Sequence, residues 1–145
     1  MNAFHSSAIL LVEDNLLDVR LTVELLREAK LANRLKVISD GSEAITYLCG
    51  ASEGSGDPLP DLVLLDLGLP GAGGREVLAT MRKTPGLSHI PVYILTSSAS
   101  HRDMVLDEKL EADGYLEKPL DLTTFVAAVT SHDRFWLELV STPLI

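Results

Sequence analysis

Five times along this sequence a short apolar run is followed by a more polar stretch, several with helical periodicity, and that alternation narrows the possible folds more than any other feature. An apolar run without polar interruption suits a strand covered on both faces, and such strands belong to parallel sheets whose crossover helices lie on either side. The first run is Ile9–Val12. It ends in Glu13-Asp14-Asn15, and Leu17, Leu21, Leu25 and Leu26, with Val23 and Arg20, then mark a helix to about Lys30. Leu35–Ser39 reads as a second strand, turned by Asp40-Gly41 into a helix carrying Ala44, Ile45 and Leu48. Gly50–Pro60, rich in Gly, Ser and Pro, reads as a surface loop. Leu62–Leu65 is continuously apolar, without lysine or glutamate, and should be central; Asp66 follows it, and the glycines from Gly68 to Gly74 turn the chain into a helix with Val77, Leu78 and Met81. Pro91–Leu95 is strand four, 100–110 helix four and Gly114–Leu116 strand five, and Lys118-Pro119 leads into a last helix from about Asp121. Right-handed crossovers then predict an α/β, doubly wound, five-stranded parallel sheet in the order 2-1-3-4-5.

Composition excludes several functions. With 46% apolar residues in 145, the chain can bury one core and has little room for a second domain. A net charge of -9 argues against nucleic acid or an anionic membrane as partner, since both select a basic face. Cys49 is the single cysteine, so no internal disulfide can form; it reads as a small residue of a helix. No segment has the length or flanks of a signal peptide or membrane span, and a cytoplasmic location is expected. His5, His89, His101 and His132 lack metal-ligand spacing and read as solvated or structural residues.

In the expected topology ligands bind at the carboxyl ends of the strands, where the strand order reverses between one and three. Glu13 and Asp14 end the first strand and Asp66 the third, so three carboxylates converge there. Each alone could merely cap the helix that follows its strand. Together they repel one another and call for a hard divalent cation, Mg²⁺ or Mn²⁺, with Asp14 and Asp66 as direct ligands, Glu13 binding through water and the Gly68 carbonyl as a backbone ligand. Thr96 ends strand four and Lys118 follows strand five. Alone they would be a turn cap and a solvated lysine; with the carboxylates they complete a phosphoryl-transfer site, with Asp66 as nucleophile.

These residues resemble those of a known family, the receiver domains of bacterial response regulators, over Ile9 to about Val129. The family's acidic pair, phosphoacceptor aspartate, Thr or Ser, and Lys-Pro read here as Glu13-Asp14, Asp66, Thr96 and Lys118-Pro119. Thr96 lies 30 positions after Asp66, Lys118 lies 22 after Thr96, and Gly74 falls at the family's usual glycine. The resemblance implies the flavodoxin-like, CheY-like form of the fold. It also implies a phosphoryl group received from a phosphohistidine of a sensor kinase, Lys118 and Thr96 holding its oxygens, and a cis Lys118-Pro119 bond. A switch pair is implied as well, Thr96 moving toward the phosphoryl group as Tyr115 turns inward; from the residues alone Tyr115 would be a half-buried strand aromatic. On this reading the protein is not an enzyme in the usual sense but a switch that catalyses its own phosphorylation and dephosphorylation. Gly68, Ser97 and Ser98 depart from the commonest family residues beside the site, and the phosphoryl lifetime stays open.

Residues 8–131 are assigned to the receiver and 132–145 to a C-terminal extension containing Phe135, Trp136, Leu137, Leu139 and Val140. The sequence ends without an output domain, so output by protein contact is expected. The extension resembles that of single-domain regulators partnered with bacterial phytochrome kinases, which names such a kinase as the partner. Its apolar residues either fold back on the domain or join a homodimer made by helix four, strand five, helix five and the extension. Other functional classes fit less well. A dehalogenase-type phosphatase typically wants a second aspartate where Gly68 stands, and Glu13-Asp14 would repel the phosphate of a flavodoxin-like electron carrier. A non-phosphorylated pseudo-receiver would be expected to lack part of the five-residue set.

Overall fold

The computed structural model describes residues 8–29, 34–69, 73–106 and 108–129. The extension expected over 132–145 lies outside them, as does the assigned domain end at 131. Strands β1 (Ala8–Val12), β2 (Arg34–Ile38), β3 (Leu62–Asp66), β4 (Val92–Thr96) and β5 (Gly114–Glu117) alternate with helices α1 (Leu16–Ala29), α2 (Gly41–Ser52), α3 (Gly74–Lys83), α4 (Ala99–Leu106) and α5 (Leu122–Val129). All pairings are parallel and the order is β2-β1-β3-β4-β5, as expected from the sequence.

Successive side chains of each strand point to opposite faces, and both faces are covered. Leu10, Val12, Val63, Leu65, Val92 and Ile94 face Leu48, Val77, Leu78, Met81 and Val105 of α2, α3 and α4. Ile9, Leu11, Leu62, Leu64, Tyr93 and Leu95 face Leu26 of α1 and Phe125 of α5. Every residue of β1, β3 and β4 is buried, which is why these strands are apolar except for Asp66 and Thr96 at their carboxyl ends. Each fully buried aliphatic among them contributes about 1.5–3 kcal/mol.

Several boundaries differ from expectation. The second helix continues through Gly50 to Ser52, where the Ser52 hydroxyl donates to the Cys49 carbonyl, and the turn is made later by Gly54 and Gly56 at φ of 90° and 101°. The fourth helix stops at Leu106 instead of 110, because bonds from Glu108 N–H to Val105 O and from Lys109 N–H to Leu106 O close it, with Lys109 at φ 54°. Leu110 kept the apolar rhythm because it packs on the core from the loop beyond. Cys49 sits half-buried on α2. No helix among the described residues is long and apolar enough to cross a membrane.

Candidate functional site

The strand order reverses between β1 and β3, and at their carboxyl ends the chain places its acids. Glu13, Asp14 and Asp66 each offer an oxygen within 4.8 Å of the others; Glu13 and Asp66 are buried and Asp14 is exposed. Glu13 is fixed because its N–H extends the ladder to Ile38 O at 3.0 Å, while its Oε2 accepts the Asn15 N–H at 3.1 Å. Burial first, then a hydrogen bond shared with Asp66, pushes the Glu13 carboxyl up to about 7, against the opposing pull of the Asn15 N–H and Lys118. Asp66 Oδ1 accepts the Gly68 N–H at 3.0 Å, which orients the carboxylate at the start of the loop. Gly74 lets that loop close tightly, since a Cβ there would lie 2.6 Å from the Asp66 carbonyl oxygen.

Lys118 enters from the turn after β5. Its N–H bonds Thr96 O at 2.7 Å, and the Lys118-Pro119 peptide is cis, as the family resemblance implied. Its ammonium lies 3.1 Å from Glu13 Oε1, 2.9 Å from Asp18 Oδ2 and 3.7 Å from Asp66 Oδ2. Burial works to lower the Lys118 pKa, but the hydrogen bonds to Asp18 and Glu13 and the charges of Asp66 and Glu13 outweigh it and hold the ammonium above its ordinary value. Thr96 is fully buried, its hydroxyl directed to Leu116 O at 3.4 Å. Tyr115 is half-buried against the core beside α4, and burial raises its hydroxyl pKa. Beyond Thr96 the chain is held into α4 by two bonds, the His101 N–H donating to Ser98 Oγ and the Ser97 N–H donating to His101 Nδ1. His101 therefore has a structural task.

The expected acids and lysine thus meet in one place, with Thr96 and Tyr115 on the adjoining strands. Asp18 was not foreseen. The signal was present in the Asn15-x-x-Asp18 spacing of a helix start, since Asn15 Oδ1 accepts the Asp18 N–H at 3.0 Å and leaves the Asp18 carboxylate inside the first turn of α1.

A carboxylate cluster at the switch point of such a sheet, with a lysine reaching into it, marks a receiver-type signalling domain. The chain belongs to the response regulator receiver domain family, whose model matches residues 9–130, and is a receiver of two-component signalling. It is 39% identical over 135 residues to response regulator Rcp1 of Synechocystis sp., spanning 93% of this chain and 92% of that one. A crystal structure of the Mn²⁺-bound form of Rcp1 superposes with a TM-score of 0.69 at 39% identity, covering 91% of this chain and 95% of that one. The bacteriophytochrome response regulator AtBRR superposes with a TM-score of 0.81 at 40% identity, covering 91% and 96% of the two chains. For the phosphorylated cyanobacterial phytochrome response regulator RcpA the values are 0.71 and 37%, with 92% and 95% covered.

Proposed function

We propose that this receiver takes a phosphoryl group on Asp66 from a phosphohistidine of a sensor histidine kinase and signals through the resulting change of shape. The observation that carries the reading is the placement of the Asp66 carboxylate: buried at the end of the central strand, within 4.8 Å of two further acids and 3.7 Å from one ammonium. In the transfer an Asp66 oxygen forms a bond to phosphorus as the phosphorus–nitrogen bond of the donor breaks, and the imidazole leaves and takes up a proton. Lys118 holds a phosphoryl oxygen by charge and Thr96 by its hydroxyl, and catalysis is mainly positioning and stabilisation of spreading negative charge. For Thr96 this means releasing Leu116 O, and the space it vacates lets Tyr115 move inward.

The donor set suits a hard divalent cation, because it is all oxygen, crowded and short of positive charge. Asp14, Asp66 and the Gly68 carbonyl would hold Mg²⁺ or Mn²⁺ directly and Glu13 through water; such an ion supplies neutralisation of the acids and of the phosphoryl oxygens. The Mn²⁺-bound form of the relative Rcp1 supports this assignment. The relatives AtBRR, a bacteriophytochrome response regulator, and RcpA, a cyanobacterial phytochrome response regulator, favour a bacterial phytochrome, such as a bacteriophytochrome, as the partner kinase. A cytoplasmic protein without affinity for nucleic acid or membrane accords with the charge of -9. A homodimer through α4, β5, α5 and the extension would cover Leu106 and Leu122, which are more than two-fifths exposed.

Incubation with Mg²⁺ and acetyl phosphate followed by intact mass tests the reading. One acid-labile phosphoryl addition on the wild type and none on folded Asp66→Asn is expected; normal labelling of the variant would refute the acceptor. Sustained phosphate release without an adduct would point to a phosphatase.

A further inference from the structure

Among the described acids, Asp18 is the closest to Lys118. Its Nζ is within hydrogen-bonding distance of Asp18 Oδ2 at 2.9 Å and Glu13 Oε1 at 3.1 Å, whereas Asp66 Oδ2 at 3.7 Å is beyond it. The cause is local. Asp18 is the third residue of α1, where an acidic side chain ordinarily folds back onto the N–H of the capping residue. Here that N–H, on Asn15, is already bonded to Glu13 Oε2. Glu13 takes the place Asp18 would fill, and the Asp18 carboxylate spans instead to the turn between β5 and α5.

We propose that Asp18 is a positioning residue for the phosphorylation of Asp66, the counter-ion that draws the Lys118 ammonium away from Asp66 until a phosphoryl group competes for it. The inference rests on Asp66 being the phosphoacceptor. A phosphoryl group carries nearly two negative charges and several strong acceptor oxygens, so Lys118 must release Asp18 to reach it. The Asp18 carboxylate then stands close to a like charge with its partner gone, and both effects oppose the phosphorylated state. Glu13 and Asp66 also hold Lys118, but both belong to the acid cluster that a divalent cation neutralises. Asp18 stands outside that cluster and keeps its claim on the lysine, so its charge sets how readily Lys118 changes partner.

Asp18→Asn removes the charge at constant size and leaves the backbone bond to Asn15 Oδ1 intact. Beryllofluoride, an anionic phosphoryl mimic, is titrated into wild type and variants in saturating Mg²⁺ and followed by fluorine NMR. Asp18→Asn should bind it roughly three- to tenfold more tightly, the effect of losing one partly buried counter-ion, and Asp18→Glu, which keeps the charge, close to wild type. In a Lys118→Ala background the gain should vanish, because Asp18 acts through that lysine. Unchanged or weaker binding by Asp18→Asn overturns the proposal, as does a gain that survives removal of Lys118. Mg²⁺ binding without beryllofluoride should weaken only slightly in Asp18→Asn, far less than in Asp14→Ala, because the freed ammonium leans toward Asp66 while every oxygen donor to the ion is kept; a loss as large as that of Asp14→Ala would make Asp18 a metal ligand and also overturn it. If wild type fails to bind beryllofluoride, or Asp66→Asn binds it equally well, the phosphoacceptor reading falls and this role with it. If binding depends on Asp66 and Asp18→Asn matches wild type, the role of Asp18 alone is lost.

Discussion

Arg82 and Asp113 meet through Nη2 and Oδ2 at 2.8 Å, and the same carboxylate oxygen accepts the Val92 N–H that opens β4, also at 2.8 Å. Arg82 also donates from Nε to Glu111 O at 2.7 Å and from Nη1 to Ser88 O at 3.2 Å and Ile90 O at 3.0 Å. One guanidinium thereby ties the last turn of α3 to the loops entering β4 and β5. Its side chain is only 15% exposed, so this is not an ordinary surface ion pair. Arg82→Ala would strand several acceptors and should cost about 2–3 kcal/mol in urea unfolding. Arg82→Lys should recover only part of that, because an ammonium cannot reproduce the planar fork. The contact lies at the end of the sheet opposite Asp66, so phosphoryl labelling per folded molecule should not change.

Gly74 makes a different prediction, because its two nearest neighbours are backbone atoms. A methyl group there would lie 2.6 Å from Asp66 O and 2.7 Å from Leu67 Cα, and neither can swing aside. Gly74→Ala should destabilise the protein by about 1–3 kcal/mol and, by shifting the segment that carries Asp66, slow labelling by acetyl phosphate as well. A variant with a normal thermal midpoint and normal labelling rate would show that the loop after β3 yields more easily than its packing implies.

Sheet order and the main site were legible because burial and charge act on the sequence directly. β1 and β3 are buried on both faces, so their apolar runs are unbroken, and the acids ending them had one edge of the sheet on which to meet. The ends of α2 and α4 were not legible: Gly50 can remain helical when Ser52 caps its own turn, and Leu110 continues an apolar rhythm from outside the helix. Asp18 and Arg82 escaped for another reason. Their partners lie 100 and 31 positions away, and nothing in a periodic pattern distinguishes a charged side chain facing water from one that spans two loops.

Lys118 and Asp14 separate two kinds of electrostatic role. Lys118 sits among the acids as a cation, so Lys118→Ala should leave Mg²⁺ affinity intact or raise it while impairing beryllofluoride binding and the response that follows. Asp14→Ala removes an anionic oxygen donor and should weaken Mg²⁺ strongly, on the order of tenfold or more. Calorimetric titration of both variants decides the matter; equal losses of Mg²⁺ affinity would contradict the assigned roles.

The face formed by α4, β5 and α5 leads to the last prediction. Leu106 and Leu122 are 44% and 42% exposed, and Tyr115, between these helices in sequence, lies half-buried beside α4. A two-fold contact through this side would cover these residues on both copies at once. If Tyr115 switches as proposed, phosphorylation can tighten that contact only by the difference in affinity between its two positions. A dimer is therefore expected in light scattering at tens of micromolar, roughly where a modest interface should register. A chain truncated after Ser131 should associate more weakly, and beryllofluoride with Mg²⁺ should restore part of the loss if the switch contributes. Four monomeric samples, wild type and truncated, each with and without the mimic, would assign the extension to the monomer and remove the dimer from the mechanism.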